Sequence, residues 1–343
     1  MTAPIEDPDD PQRSMRLAIL AAAAAGDAGA AYRVVADLLG LGVSFEEILF
    51  GVLAPLEAEV GQRWQQGDFG VCDEHVVTAT LETVVALLAG SFDSAPDARR
   101  VVVACAEGDV HTLAARMIAA YLVFLGWRVY FLGPGQPAED LGAYLREYPP
   151  EALVLSCTLA AALPGARASI RAAHAAGVPV LAGGRGFGAD GRRARALGAD
   201  AWTADPEEVD TILRTWQPDP ASAERGARNG GEDDQSLLRR RAAVLARAER
   251  DLVSSGAPLP AADVRAHLEL LFDTLAASVL LDDAEVVAEF AAWQRARLAA
   301  LSAGAVAADL RQGLQAALEG DPPRAARFLE AAAVAAAPRV SRQ

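Results

Sequence analysis

The residues best placed to do chemistry lie in Glu107-Gly108-Asp109-Val110-His111. An imidazole two residues after a carboxylate can offer one ring nitrogen to a metal. The other nitrogen donates to Asp109, which fixes the ring and raises its basicity. Taken alone, a D-x-H step is also what a polar loop with a neighbouring acid looks like, so the weight falls on its company. Ser156-Cys157-Thr158-Leu159 supplies hydroxyls at Ser156 and Thr158 that can hydrogen-bond a buried heterocycle, and Gly183-Gly184 leaves room for bulk against the backbone. Upstream, Trp64, Glu74 and His75 stand as W-x9-E-H. An indole there makes a lid for an apolar or adenine-bearing ligand, and Glu74 can accept from ribose hydroxyls. On their own these three read better as a core tryptophan and a solvated acid–histidine pair.

The elements that must position these residues follow from pattern. Residues 1–12 are acidic and Pro-rich and read as a disordered tail. Over 13–95, helical periodicity with short connections gives a four-helix bundle: Ser14 to Ala25, a helix capped by Asp27 through Leu39, one opened by Ser44 reaching Trp64, and one from Asp73 to Leu88. From 99 to 216, apolar β-branched runs (Val101 to Cys105, Arg128 to Leu132, Ala152 to Leu155, Val178 to Leu181, Ala201 to Thr203) alternate with helices. That is a flavodoxin-like α/β domain with a five-stranded parallel sheet, whose ligands bind beyond the strand carboxyl ends at the switch point. The loops carrying His111, Ser156 and Gly183 border that crevice. Residues 217–236 have linker composition, and 237–340 are helical again, with Asp263 capping one helix, Asp282-Asp283 opening another and Pro322-Pro323 the last. The fold class is α/β plus all-α.

Composition narrows the rest. A net charge of -15 disfavours a general affinity for nucleic acid or anionic membrane. No apolar run is long enough to span a bilayer and no signal peptide opens the chain, so a cytoplasmic location is expected. Cys72, Cys105 and Cys157 are scattered beside apolar segments and read as small core residues.

Asp109-Val110-His111-Thr112-Leu113-Ala114, Ser156-Cys157-Thr158-Leu159 and Gly183-Gly184 together resemble cobalamin-binding domains with the pattern D-x-H-x-x-G, S-x-L, G-G. Gly126-Trp127-Arg128-Val129-Tyr130-Phe131-Leu132-Gly133 looks like the same family. The resemblance implies that His111 is the lower axial ligand of cobalt. It also implies that the corrinoid's dimethylbenzimidazole tail inserts near Ser156 and Gly183-Gly184. Ala114 departs from the family's final glycine. The W-x9-E-H spacing resembles light-sensing cobalamin-dependent regulators, in which a bundle covers 5′-deoxyadenosylcobalamin, light breaks the cobalt–carbon bond, and the oligomeric state changes. In that family a histidine follows the tryptophan; here it is Gln65. The family's N-terminal helix-turn-helix is not read here, so no direct nucleic-acid contact is expected. The reading is a signalling photoreceptor, not an enzyme: a homo-oligomer with a light-dependent state and a downstream protein the sequence does not name. The alternative is the corrinoid carrier subunit of a methyltransferase system, which shares the bundle and the D-x-H-x-x-G domain.

The C-terminal helices read as an oligomerisation or partner module. Leu280 to Leu301 resembles helical sensor domains of photocobilins, which implies biliverdin as a second chromophore, with His267 and Trp293 in its pocket and Arg265 and Arg295 toward its propionates. No cysteine lies in this region to link it.

Overall fold

A computed structural model of the chain describes residues 13–215, 232–256, 258–318 and 323–335. The expected tail and the expected linker up to residue 231 lie outside them. The bundle is built from α1 (Arg13–Ala24), α2 (Ala28–Gly40), α3 (Ala54–Gln66) and α4 (Val71–Ala89). Asp27 caps α2 by accepting from the Ala30 amide at 2.8 Å. The helix expected from Ser44 to Trp64 instead changes pitch: Glu47–Leu53 is π-helical before α3 begins. Pro55 accounts for this, because it has no N–H to donate and its ring would meet the carbonyl four residues back in an ordinary α-turn.

The α/β domain contains β1 (Arg100–Cys105), β2 (Arg128–Gly133), β3 (Ala152–Ser156), β4 (Val180–Gly183) and β5 (Ala201–Thr203), all parallel, in the order β2-β1-β3-β4-β5. Its helices are α5 (Leu113–Phe124), α6 (Ala138–Glu147), α7 (Leu163–Ala175), α8 (Arg192–Leu197) and α9 (Glu208–Thr215). Val101, Val103 and Cys105 pack on the α5 and α9 side, and Val102 and Ala104 on the α6 to α8 side. Both faces of β1 are thus covered, which is why the strand is apolar throughout. The helix α5 is sandwiched. Ala115, Ala119 and Leu122 face the sheet, while Leu113, Met117, Ala120 and Tyr121 complete the core of the bundle.

The C-terminal helices are α10 (Glu232–Ser254), α11 (Ala261–Leu281), α12 (Ala284–Ala300), α13 (Val306–Ala317) and α14 (Pro323–Ala335). Helix α10 starts inside the stretch read as linker. Asp263 lies inside the first turn of α11, not at the cap, which falls at Pro260. Asp283 does cap α12, accepting from the Glu285 amide at 2.9 Å. These helices enclose a core of their own, but α11 serves two cores: Leu268, Phe272 and Leu275 face inward, while Ala277 and Leu280 join Leu163, Ile170 and Phe187 of the α/β domain. The expected separate module is therefore joined to the sheet domain through a shared apolar seam. Buried Arg193 of α8 reinforces it by pairing with Asp283 at 3.6 Å and Glu289 at 3.0 Å. Among the described residues, no helix is long and apolar enough to cross a membrane.

Candidate functional site

The loop after β1 is held from several sides, and each hold serves His111. Asp109 is 2% exposed. Its Oδ1 accepts from His111 Nδ1 at 2.8 Å and from the His111 amide at 3.1 Å. Its Oδ2 accepts from the amides of Thr158 and Leu159 in the loop after β3. One carboxylate thus ties the two loops together and settles the tautomer: the ionised acid only accepts, so Nδ1 carries the proton. The same bond raises the pKa of His111, against the opposing effect of burial. Nε2 is left with its lone pair on a ring whose side chain is 41% exposed.

Glu107 is seated on α7, where its amide donates to buried Ser169 at 3.4 Å. A Cβ at Gly165 would stand 1.9 Å from the Glu107 carbonyl oxygen, so this approach requires glycine. From the bundle, Glu82 of α4 accepts from Thr112, the residue after His111. Burial raises the pKa of Glu82, and Arg116 nearby opposes the shift.

Glu57 of α3 is a site residue that the motifs did not single out. Burial pushes its carboxyl pKa up; Arg185 and His111 pull it down, and Glu74 and Glu82 add to the rise. Those groups come from α4, the His111 loop and the segment after β4, so charges from all three act on Glu57 of α3. Glu57 precedes Trp64 by seven residues, two helical turns along the same face of α3, and that spacing was the signal available in the sequence. Glu74 is half-buried, accepts from Thr78 Oγ1 at 2.9 Å, and helps raise the pKa of His111. His75 lies 3.5 Å from Glu74 with its side chain 73% exposed.

Other expected residues are placed differently. Among the described residues neither the Ser156 nor the Thr158 hydroxyl is engaged; the contribution of Thr158 is its amide to Asp109. Gly184 does not open space for a ligand. At φ 103° it brings the turn so close to Cys157 that a Cβ would meet that residue's carbonyl oxygen at 2.4 Å. Gly183 would make only ordinary contact, with Thr203. Cys105 and Cys157 are buried, and burial pushes the Cys105 thiol up to about 12, but Cys72 is exposed, contrary to expectation.

Trp64 has partners the motif did not foresee. Its ring stacks on Trp293 at 5.6 Å and 21°. Trp293, expected beside His267, therefore has Trp64 and Phe290 as its ring partners. His267 is half-buried, its pKa lowered by burial, and Gln294 Nε2 donates to its carbonyl oxygen at 3.1 Å. Arg265 is occupied by Glu249 at 2.9 Å and Glu269 at 3.1 Å, while Arg295 Nε is buried without a partner.

Among the described residues, no cluster of three or more His, Cys, Asp or Glu could enclose a metal ion. His111 alone, oriented by a buried acid and with one free nitrogen, fits a metal that brings its other ligands with it, as cobalt in a corrin does. Residues 99–211 match a family described as B12 binding domain, and residues 16–89 match a second family of that description. Both segments are B12 binding domains. Over 138 residues the chain is 35% identical to the HTH-type transcriptional repressor CarH of Myxococcus xanthus, covering 39% of this chain and 45% of CarH. The match therefore spans about half the length of that relative. Among solved structures, the Methanosarcina barkeri monomethylamine corrinoid protein aligns with a TM-score of 0.50 at 16% identity, over 59% of this chain and 99% of that one. A cobalamin-binding protein from Desulfitobacterium hafniense DCB-2 aligns at a TM-score of 0.33 and 22% identity, over 59% and 98%. The first of these likenesses is one of fold.

Proposed function

We propose that these B12 binding domains hold adenosylcobalamin base-off, with His111 as the lower axial ligand of cobalt, and that the protein senses light through it. One observation carries this reading: His111 is fixed by buried Asp109 and, among the described residues, nothing engages its Nε2, while the charges of Glu57 and Glu74 of the bundle act on its ring. The similarity to CarH and the W-x9-E-H spacing support the light-sensing part. When bound, the cofactor supplies a cobalt–carbon bond that visible light breaks. Asp109 accepts from Nδ1–H, which leaves Nε2 as the ligating nitrogen, and fixes the direction in which the ring points. Glu74 accepts from sugar hydroxyls, Trp64 covers the upper face, and Ser156 and Gly183 border the nucleotide tail. The bundle packs on α5 and reaches the His111 loop through Glu82, so its displacement is the step that changes quaternary structure and signals to a partner protein. The reading extends to biliverdin in the C-terminal helices near His267 and Trp293, without a thioether link. Co-expression with a biliverdin source tests this extension, and the absence of a red-absorbing band would remove the second chromophore.

The rival reading is a methyl-carrying corrinoid subunit, favoured by the fold of the monomethylamine corrinoid protein. The deciding experiment reconstitutes the protein with adenosylcobalamin and with methylcobalamin in the dark, then records absorption and mass in solution before and after green light. A preference for the adenosyl form, with spectrum and mass both changing on illumination, supports the sensor. Unchanged spectrum and mass would sink it, and competence with methylcobalamin beside a methyltransferase would favour the carrier.

A further inference from the structure

The helix α12 reaches out of the C-terminal region and engages the end of α3. Trp293 stacks on Trp64 at 5.6 Å and 21°. The Arg297 guanidinium lies 4.4 Å from the centre of the Trp64 ring, and Nη1 donates to the Trp64 carbonyl oxygen. That carbonyl is in the last turn of α3, where it also accepts from the Gly67 amide at 3.2 Å. Gly67 ends the helix at φ 86°, and a side chain there would meet both Leu301 and Arg297. Arg297 is 7% exposed, and burial lowers its pKa. A guanidinium is costly to bury unless what it faces repays the lost water. Here that is an indole face and a helix-end carbonyl, both belonging to Trp64.

The other end of the same region is anchored elsewhere. Ala277 and Leu280 of α11 lie in the core beneath the loop after β3, and Arg193 ties α8 to α12. The C-terminal helices therefore bridge the sheet domain and the bundle, meeting the bundle at the end of α3 around Trp64 and Gly67.

We infer that Trp293 and Arg297 are positioning residues for Trp64: they set the angle and height of the indole over the upper ligand, so the C-terminal helices belong to the upper-ligand site. This rests on the adenosylcobalamin reading above. It assigns the C-terminal region a task in ligand selection that does not depend on a second chromophore.

The test uses the full chain. In the cofactor-free protein, near-UV circular dichroism reports the coupled indole pair. Trp64→Phe and Trp293→Phe should each remove the same component, and the double variant should remove no more than either alone. With cofactor, Trp293→Ala should weaken adenosylcobalamin binding about 10-fold while changing hydroxocobalamin affinity less than about 2-fold, since the smaller upper ligand does not reach the indole. Trp293→Phe, which keeps an aromatic face, should recover most of the preference, and Arg297→Lys should lose part of it. Should Trp293→Ala fail to fold, the Phe and Lys variants carry the same comparison. Equal losses for both cofactor forms, or a preference that survives in all three variants, would overturn the inference while leaving the sensor reading intact. A wild-type chain that binds hydroxocobalamin with no preference for the adenosyl form would overturn both.

Discussion

At the scale of single residues, Asp109 does more than its spacing from His111 announced. The D-x-H step was legible because both partners are two residues apart in the chain. The second oxygen of Asp109, reaching the loop after β3, was not, because that contact joins positions 49 residues apart. Asp109→Asn should weaken cobalamin binding about 10–100-fold, as loss of an orienting partner to a metal-binding histidine does, and should also loosen Thr158. Titration of the apo protein with hydroxocobalamin measures the first effect; amide exchange at Thr158 measures the second. Glu57 escaped notice because its place two turns before Trp64 gives its helical face but not its burial, which depends on the fold. Its folded pKa is raised, so the stability attached to it is fully present below the ordinary glutamate value and is lost as pH rises through the raised one. Glu57→Gln should therefore melt higher than wild type at pH 8, with the gap closing toward about pH 4, where both forms are neutral. Thermal melts of the apo protein across that range check it, and a gap that persists at the acid end would show that burial of charge is not the cause.

At the scale of elements, the strands and most helices were legible because their periodicities are local and strong. The failures each have a physical source. The π-helical turn before Pro55 answers to a missing donor, which a helical pattern of apolar residues does not register. The roles of the glycines were hidden because they depend on what approaches from another element. Gly165 is the sharpest case. Gly165→Ala would drive a methyl into the Glu107 backbone and push the His111 loop off α7, costing about 1–3 kcal/mol. Urea unfolding gives that number, and cobalamin affinity should fall with it. An alanine variant with unaltered stability and affinity would mean that the loop does not depend on this seat.

At the scale of the whole molecule, the order of bundle, sheet domain and C-terminal helices was readable, but their joints were not. Leu280 looks like any core leucine of an amphipathic helix, and nothing local tells which of two cores it enters. Because it enters the core of the sheet domain, Leu280→Ala should cost about 2–4 kcal/mol and should split a single melting transition into two, the sheet domain and the C-terminal helices unfolding apart. Calorimetry of both forms decides this. The double-sided burial of α5 carries a last consequence. Leu113, Met117, Ala120 and Tyr121 are buried in the core of the bundle. Lifting the bundle, by light or by mutation, bares an oily strip that water penalises by about 1.5–3 kcal/mol for each large side chain. On the sensor reading proposed above, a fluorescent dye that brightens on greasy surfaces should bind the illuminated protein and not the dark one.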